Sequence, residues 1–237
     1  MGAIFVSWGI SGAVLLGLTI AVGLAATSRI DGILIDERGR YSLTHLQLCL
    51  WTIVILSLIS GVFFGRLVHG VPEPQDFDIP ANVIGLFAIS AGSAVTSTAI
   101  KRTKDTTRAA NVAASGGRNY PPQLAQIFMV EEGTFANKAV DIGKFQQFVV
   151  TIVFVVAYIA LAVHTIQMAG TASAVTTLPD ITGAFLVLLG ISHGAYVGAK
   201  LPSSAGTPSG LVVGDRNADP GTYRVMSRAA SATLPRS

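Results

Sequence analysis

Three polar residues near the end of the sequence, His193, Tyr196 and Lys200, have the spacing of one helix face. Positions i, i+3 and i+7 lie on the same side of a helix, so an imidazole, a phenol and an ammonium group would form one stripe. Such a stripe could transfer protons or line a solute path. We favour an interhelical hydrogen bond for His193 and a Lys200 ammonium group that reaches the membrane surface.

No pattern typical of an enzyme accompanies this stripe. The histidines are scattered without H-E-x-x-H or another metal-ligand spacing, and neither a G-x-S-x-G nor a Walker-type loop occurs. The single cysteine, Cys49, excludes a disulfide or a C-x-x-C site within one chain. We therefore expect no enzymatic activity, no catalytic residue, no metal site and no cofactor.

The composition indicates the elements that must position the stripe. Of the 237 residues, 51% are hydrophobic and only 12% are charged, against about 25% charged in soluble domains. We predict an all-α integral membrane protein in the lipid bilayer, because five segments are long and apolar enough to cross it. These segments are residues 1–28 and about 43–65, 79–100, 142–168 and 181–199. The first could instead be a signal peptide, but a basic start is missing.

The polar segments divide the rest of the chain. Residues 102–140 are predicted to form a loop with a short amphipathic helix at 123–130, which could cover the helix ends, lie on lipid or bind a partner. Residues 201–237 are rich in Ser, Gly, Ala and Pro and are predicted to form a disordered tail, since they cannot bury much apolar surface.

An internal repeat relates the last four spans. Leu46-Gln47 and T-I-V at 52–54 recur 99 residues later as Phe145-Gln146 and T-I-V at 151–153, and the Ile-Ser pair at 89–90 recurs at 191–192. We predict a tandem repeat of two helical hairpins, residues 29–101 with their leading loop and residues 141–200. Both hairpins would enter the membrane in the same direction, so the pseudo-symmetry axis would follow the membrane normal.

Small and polar residues within the spans predict how the helices associate. In lipid, small residues allow close backbone approach and polar side chains form interhelical hydrogen bonds. The glycines predicted to pack against other helices are Gly92, Gly190, Gly194 and Gly198. The predicted polar intramembrane residues are Gln47, Gln146, Ser90, Ser192, His193 and Tyr196. Trp8 and Lys200 are predicted at the membrane interface. Ser93, Thr96 and Ser97 could line a water-filled path, but packing is favoured because their span lacks an ionisable group.

The distribution of basic residues predicts the topology. All of them except Arg66 fall on the side that receives the 29–42 loop, the 102–140 loop and the tail. By the positive-inside rule the amino terminus lies outside and the carboxyl terminus is cytoplasmic. The same rule explains the net charge of +3, so no nucleic-acid partner is expected.

Three segments resemble a known group of proteins: D-E-R-G-R-Y-S-L-T-H-L-Q-L-C-L-W-T at 36–52, D-I-G-K-F-Q at 141–146 and G-I-S-H-G-A-Y-V-G-A-K at 190–200. They resemble uncharacterised bacterial multi-span membrane proteins with a G-R-x-S-L…Q…W-T segment and a closing G-I-S-H-x-x-Y-x-x-x-K helix. The resemblance implies a bacterial inner membrane and adds no catalytic residue. Some members continue into an immunoglobulin-like domain, which implies an anchor that displays something.

Two functions remain open from the sequence. The first is an inner-membrane scaffold or anchor that holds a cytoplasmic protein partner or assembly. The alternative is a small channel or transporter, formed by a homo-oligomer, with a path lined by the third and fifth helices. The spans lack buried carboxylates and Gly/Pro breaks, which argues against coupled transport.

Overall fold

The computed structural model describes residues 2–107, 121–133 and 135–201 and is all-helical over them. Its five long helices are α1 (Gly2–Thr27), α2 (Leu43–Val68), α3 (Ala81–Thr107), α4 (Ile142–Ala169) and α5 (Gly183–Lys200). All five are long and apolar enough to cross a membrane, which confirms the prediction of five spans in an all-α protein. The predicted disordered tail lies outside the described residues, apart from its first residue, Leu201.

Local side-chain contacts explain where two of these helices begin. Ser42 Oγ accepts a hydrogen bond from the His45 amide at 3.5 Å, and Asp141 Oδ1 accepts one from the Lys144 amide at 3.2 Å. These acceptors satisfy amides that have no partner within the helix. α2 and α4 start at the same end of the molecule, where α3 and α5 finish, because residues from all four of these regions contact Glu131. We call this the basic end. The opposite end, which carries the α2–α3 and α4–α5 loops, is called the acidic end.

α1 packs antiparallel on α2 through two glycines. A Cβ atom added to Gly61 would lie 2.6 Å from Trp8 Cα, and one added to Gly65 would lie 2.5 Å from Ile4 Cγ1. The Trp8 indole also donates a hydrogen bond to Ser57 Oγ at 3.1 Å. Trp8, predicted at the membrane interface, therefore contributes to a helix–helix contact.

The other four helices pack in the order α2, α3, α5, α4, with α4 also against α2. The largest buried side chains of their core include Trp51, Leu58, Leu86, Tyr158 and Leu189. The Trp51 and Tyr158 rings meet edge to face with centroids 6.4 Å apart. This core holds α2 against α4 and fixes the rotation of each helix about its axis.

Backbone contacts join the two loops of the acidic end. Asp78 exchanges hydrogen bonds of 2.9 Å with Thr176 and Leu178. The buried Arg66 guanidinium donates to the carbonyl oxygens of Val175 at 2.6 Å and Glu73 at 3.1 Å. One cation at the end of α2 therefore holds both loops.

The predicted helix at 123–130 is shorter in the structure, where a 3₁₀ helix covers only Leu124–Ile127. The chain leaves the helical path because the next residues pair with a later segment. The Val130 amide donates to Ala139 at 3.0 Å, and the Asp141 amide donates to Phe128 at 2.7 Å. We call residues 121–133 and 135–141 the platform.

Candidate functional site

A buried carboxylate lies where three helices, the 29–42 loop and the platform meet. Glu131, only 9% exposed, contacts four cationic side chains. The nitrogen–oxygen distances are 2.6 Å to Lys144, 3.1 Å to Lys101, 3.3 Å to Lys200 and 3.4 Å to Arg38. These cations come from the start of α4, the end of α3, the end of α5 and the loop before α2. We call the five residues the Glu131 cluster.

The charge balance of the cluster keeps Glu131 ionised. Burial by itself would raise the pKa of the Glu131 carboxyl, but the three ammonium groups around it hold that pKa well below its usual range. Lys144 also donates to the Met129 carbonyl at 2.8 Å. A desolvated charge is costly unless it is paired and hydrogen-bonded, so each member depends on the others.

Further carboxylates surround two of the cations. Arg38 contacts Asp105 at 2.8 Å and Glu132 at 3.1 Å, and Lys101 contacts Asp36 at 2.7 Å. Burial would lower the pKa of the Arg38 guanidinium, but the surrounding carboxylates, chiefly Asp105, raise it. These contacts explain why α3 continues seven residues beyond its predicted end, since its final turns carry residues that pair with the platform and the 29–42 loop.

A column of polar side chains extends from the cluster into the α3–α5 contact. Its buried members are Ser90, Ser93, Ser97, His193 and Tyr196, and we call them the polar column. Ser93 Oγ lies 2.7 Å from His193 Nδ1. The Lys200 ammonium group lies 4.7 Å from the centre of the Tyr196 ring. The stripe predicted from sequence therefore connects the middle of the helices to Glu131.

Two atoms of the column, His193 Nε2 and Ser90 Oγ, are buried without a hydrogen-bond partner among the described residues. Buried polar groups of this kind commonly bind ordered water. Towards the acidic end the contact becomes apolar, with Leu86 and Leu189 fully buried. The column therefore extends only part of the way between the two ends.

A cavity of about 210 Å³ adjoins the column at the basic end, between the start of α4 and the end of α5. Glu131, Lys144, Ser192, Tyr196 and Lys200 line it. Lys200, predicted to extend to the membrane surface, instead turns towards Glu131 with 13% of its side chain exposed. Ser192, predicted as a polar intramembrane residue, is buried beside His193.

The glutamine predicted on α4 is not the one that makes the interhelical contact. Gln147 is buried and donates to Gln47 Oε1 at 3.0 Å, and Gln47 donates to Thr151 Oγ1 at 2.5 Å. Gln146 is exposed. Position 147 shares a helix face with Lys144 and Thr151, whereas position 146 points away from α2.

The predicted packing glycines lie mostly apart from other helices. Apart from the local helix backbone, no heavy atom of the described residues lies within 4 Å of a Cβ built on Gly92, Gly194 or Gly198, and at Gly190 the nearest is Ile89 Cδ1 at 3.7 Å. Within the described chain, close helix–helix contacts are made instead by Gly61 and Gly65 of α2, which lie against α1, and by Gly85 of α3, where an added Cβ atom would lie 3.1 Å from Leu186 Cδ2 of α5. Gly61, Gly65 and Glu131 are not among the residues predicted from the sequence, although the four-residue spacing of the two glycines and the Glu-Glu pair at 131–132 are visible in it.

Among the described residues no group of three or more His, Cys, Asp or Glu side chains could hold a metal ion. Comparisons with family models, with curated proteins and with solved structures found no match.

Proposed function

We propose that this protein is a bacterial inner-membrane anchor that holds a protein partner on its platform. The observation that carries this proposal is the Glu131 cluster. A single carboxylate from the platform is bound by cations of the 29–42 loop, α3, α4 and α5. A loop fixed in this way can bind another protein without first losing much conformational entropy.

The platform has an apolar surface that a partner could cover. Phe135 is 66% exposed, and the side chains of Leu124 and Val140 are also exposed. Exposed aromatic side chains on a rigid support are frequent anchors of protein interfaces. Charged groups such as Arg102 and Glu37, which pair with each other, would lie at its rim.

The anchor requires the basic end to face the cytoplasm. The positive-inside rule supports this orientation, since Lys101, Lys104, Lys144 and Lys200 all lie at that end. The tandem repeat remains part of the proposal. Its support is that Ser42 and Asp141, 99 positions apart, cap the starts of the equivalent helices α2 and α4 in the same way.

Photo-crosslinking in native membranes tests the anchor. A photoreactive residue at position 124 or 135 should capture the same cytoplasmic protein, whereas one at Ile10, an exposed apolar residue of α1, should not. Glu131→Gln should weaken both crosslinks because the platform loses its fixed position. The matched variant Glu73→Gln at the acidic end should leave them unchanged. Crosslinks to lipid alone, or crosslinks insensitive to Glu131→Gln, would contradict the proposal.

The polar column supports a second candidate, a small oligomeric channel or transporter. Its unpartnered buried atoms could hold water along part of the path between the ends. Conduction would require Leu86 and Leu189 to separate. Reconstituted vesicles should then pass protons or small ions, and His193→Ala and Tyr196→Phe should change the flux. Vesicles as tight as protein-free ones would remove this candidate.

A further inference from the structure

A second cavity, of about 360 Å³, lies at the acidic end between α4 and α5, remote from the Glu131 cluster. Its apolar wall includes Leu86, Phe154, Leu161 and Phe185, and the rings of Phe154 and Phe185 are 4.9 Å apart. This volume lies within the range of about 300–1,000 Å³ typical of ligand sites.

One hydroxyl group beside this cavity has no hydrogen-bond partner among the described residues. It belongs to Tyr158, on α4, which is only 2% exposed and whose Oη is a buried polar atom. Tyr158 lines the cavity together with residues 180–182, which lead into α5. A buried phenol usually finds an acceptor, so Tyr158 indicates that an acceptor belongs in this space.

A carboxylate stands at the mouth of the same cavity. Asp180 accepts hydrogen bonds from Asn82 Nδ2 at 3.1 and 3.3 Å, which fix its position. Within the described chain, Asp180 forms no ion pair. The guanidinium group of Arg66, at the same end of the molecule, is buried against backbone carbonyl groups. The mouth therefore favours a cation.

The side of the cavity opens towards the surface that two spans present to the bilayer. Leu161 is 37% exposed and Phe185 is 39% exposed, so an apolar chain could enter between α4 and α5 from the lipid. A ligand suited to all three features has a cationic head, an acceptor a short distance below it, and an apolar tail.

We propose that this cavity binds a phospholipid with a primary ammonium headgroup. The ammonium group donates hydrogen bonds to Asp180, the Tyr158 hydroxyl donates to an ester carbonyl of the glycerol region, and an acyl chain lies on Phe154 and Phe185. A quaternary ammonium group carries the same charge but has no N–H donor, so it is the poorer ligand.

Native mass spectrometry of the purified, delipidated full chain tests the headgroup. Phosphatidylethanolamine, phosphatidylcholine and phosphatidylglycerol with identical acyl chains are added in equal amounts. We expect phosphatidylethanolamine to be retained about tenfold better than either competitor. This is the difference expected if the competitors lack one charge-assisted hydrogen bond to Asp180. Asp180→Asn should abolish the preference, and the control Asp76→Asn, at the same end but outside the cavity, should keep it. Equal retention of the three lipids, or a preference that survives Asp180→Asn, overturns the proposal.

A second experiment tests the hydrogen bond from the Tyr158 hydroxyl to the ester carbonyl of the lipid. It also distinguishes a bilayer lipid from a free amine. Tyr158→Phe should weaken retention of diacyl phosphatidylethanolamine but not of its diether analogue, which lacks the carbonyl group. Ala157→Phe should fill the cavity and remove retention of both. If Ala157→Phe does not fold, as judged by thermal unfolding, the Tyr158→Phe comparison decides alone. Retention of octylamine in preference to the lipid would overturn the assignment to a bilayer lipid.

Discussion

The substitution Glu131→Gln tests the central contact of the structure. The amide keeps the size of the side chain and removes its negative charge. Arg38 and Lys101 would retain Asp105 and Asp36 as partners, at 2.8 and 2.7 Å. The loss therefore falls on Lys144 and Lys200, since Glu131 is the only carboxylate that either contacts among the described residues; Lys144 is the more buried, with 3% of its side chain exposed against 13%.

Removing one partner of a buried ion pair costs about 3–5 kcal/mol. The long helices stay in the bilayer or detergent, so we expect this cost to appear as local opening of the platform. A loss of about 3 kcal/mol corresponds to an opening roughly 100-fold more frequent. The measurement is hydrogen exchange at the amides of Val130 and Asp141, which bond to Ala139 and Phe128.

The pH dependence of hydrogen exchange in the platform is a second measurement of the contribution of Glu131. The folded pKa of Glu131 lies well below the ordinary value of 4.5, so its contribution is complete above pH 4.5 and is lost as the pH falls through the folded pKa. Protection of Val130 should therefore decline in acid in the wild type and much less in Glu131→Gln. Adding Lys144→Met, which removes the unpaired cation, should restore part of the protection. A change below about threefold in Glu131→Gln, against Glu73→Gln as control, would refute this account of the cluster.

Three other predictions follow from the packing. Gly65→Leu should displace α1 and lower the unfolding temperature in detergent. Gly194→Leu should leave the unfolding temperature unchanged, because the space beside Gly194 is open. Equal effects of the two substitutions would contradict this packing. Gln47→Leu should cost about 1 kcal/mol of stability by removing an interhelical hydrogen bond, and Gln146→Leu should cost nothing measurable in the same unfolding assay. A cysteine at Ser173, in the exposed α4–α5 loop, should react with an impermeant thiol reagent in intact cells, and labelling only after lysis would invert the proposed orientation.

The sequence alone determined the helical spans, since hydropathy over some 20 residues is a property of one segment and needs no neighbour. It also determined how α2 and α4 begin, because Ser42 and Asp141 cap amides three residues away in the chain. Such contacts are local and depend only on residue type and spacing.

The tertiary structure decided which of several similar residues make contacts. Gln147 rather than Gln146 meets Gln47, and Gly65 rather than Gly194 lies against a neighbouring helix. These choices depend on the rotation of each helix about its axis, which is set by the packing of the whole core. The contacts of Glu131 could not be predicted from the sequence for the same reason. Its partners Lys101 and Lys200 are 30 and 69 residues away in the chain, and they come together only because α3 and α5 end beside the platform.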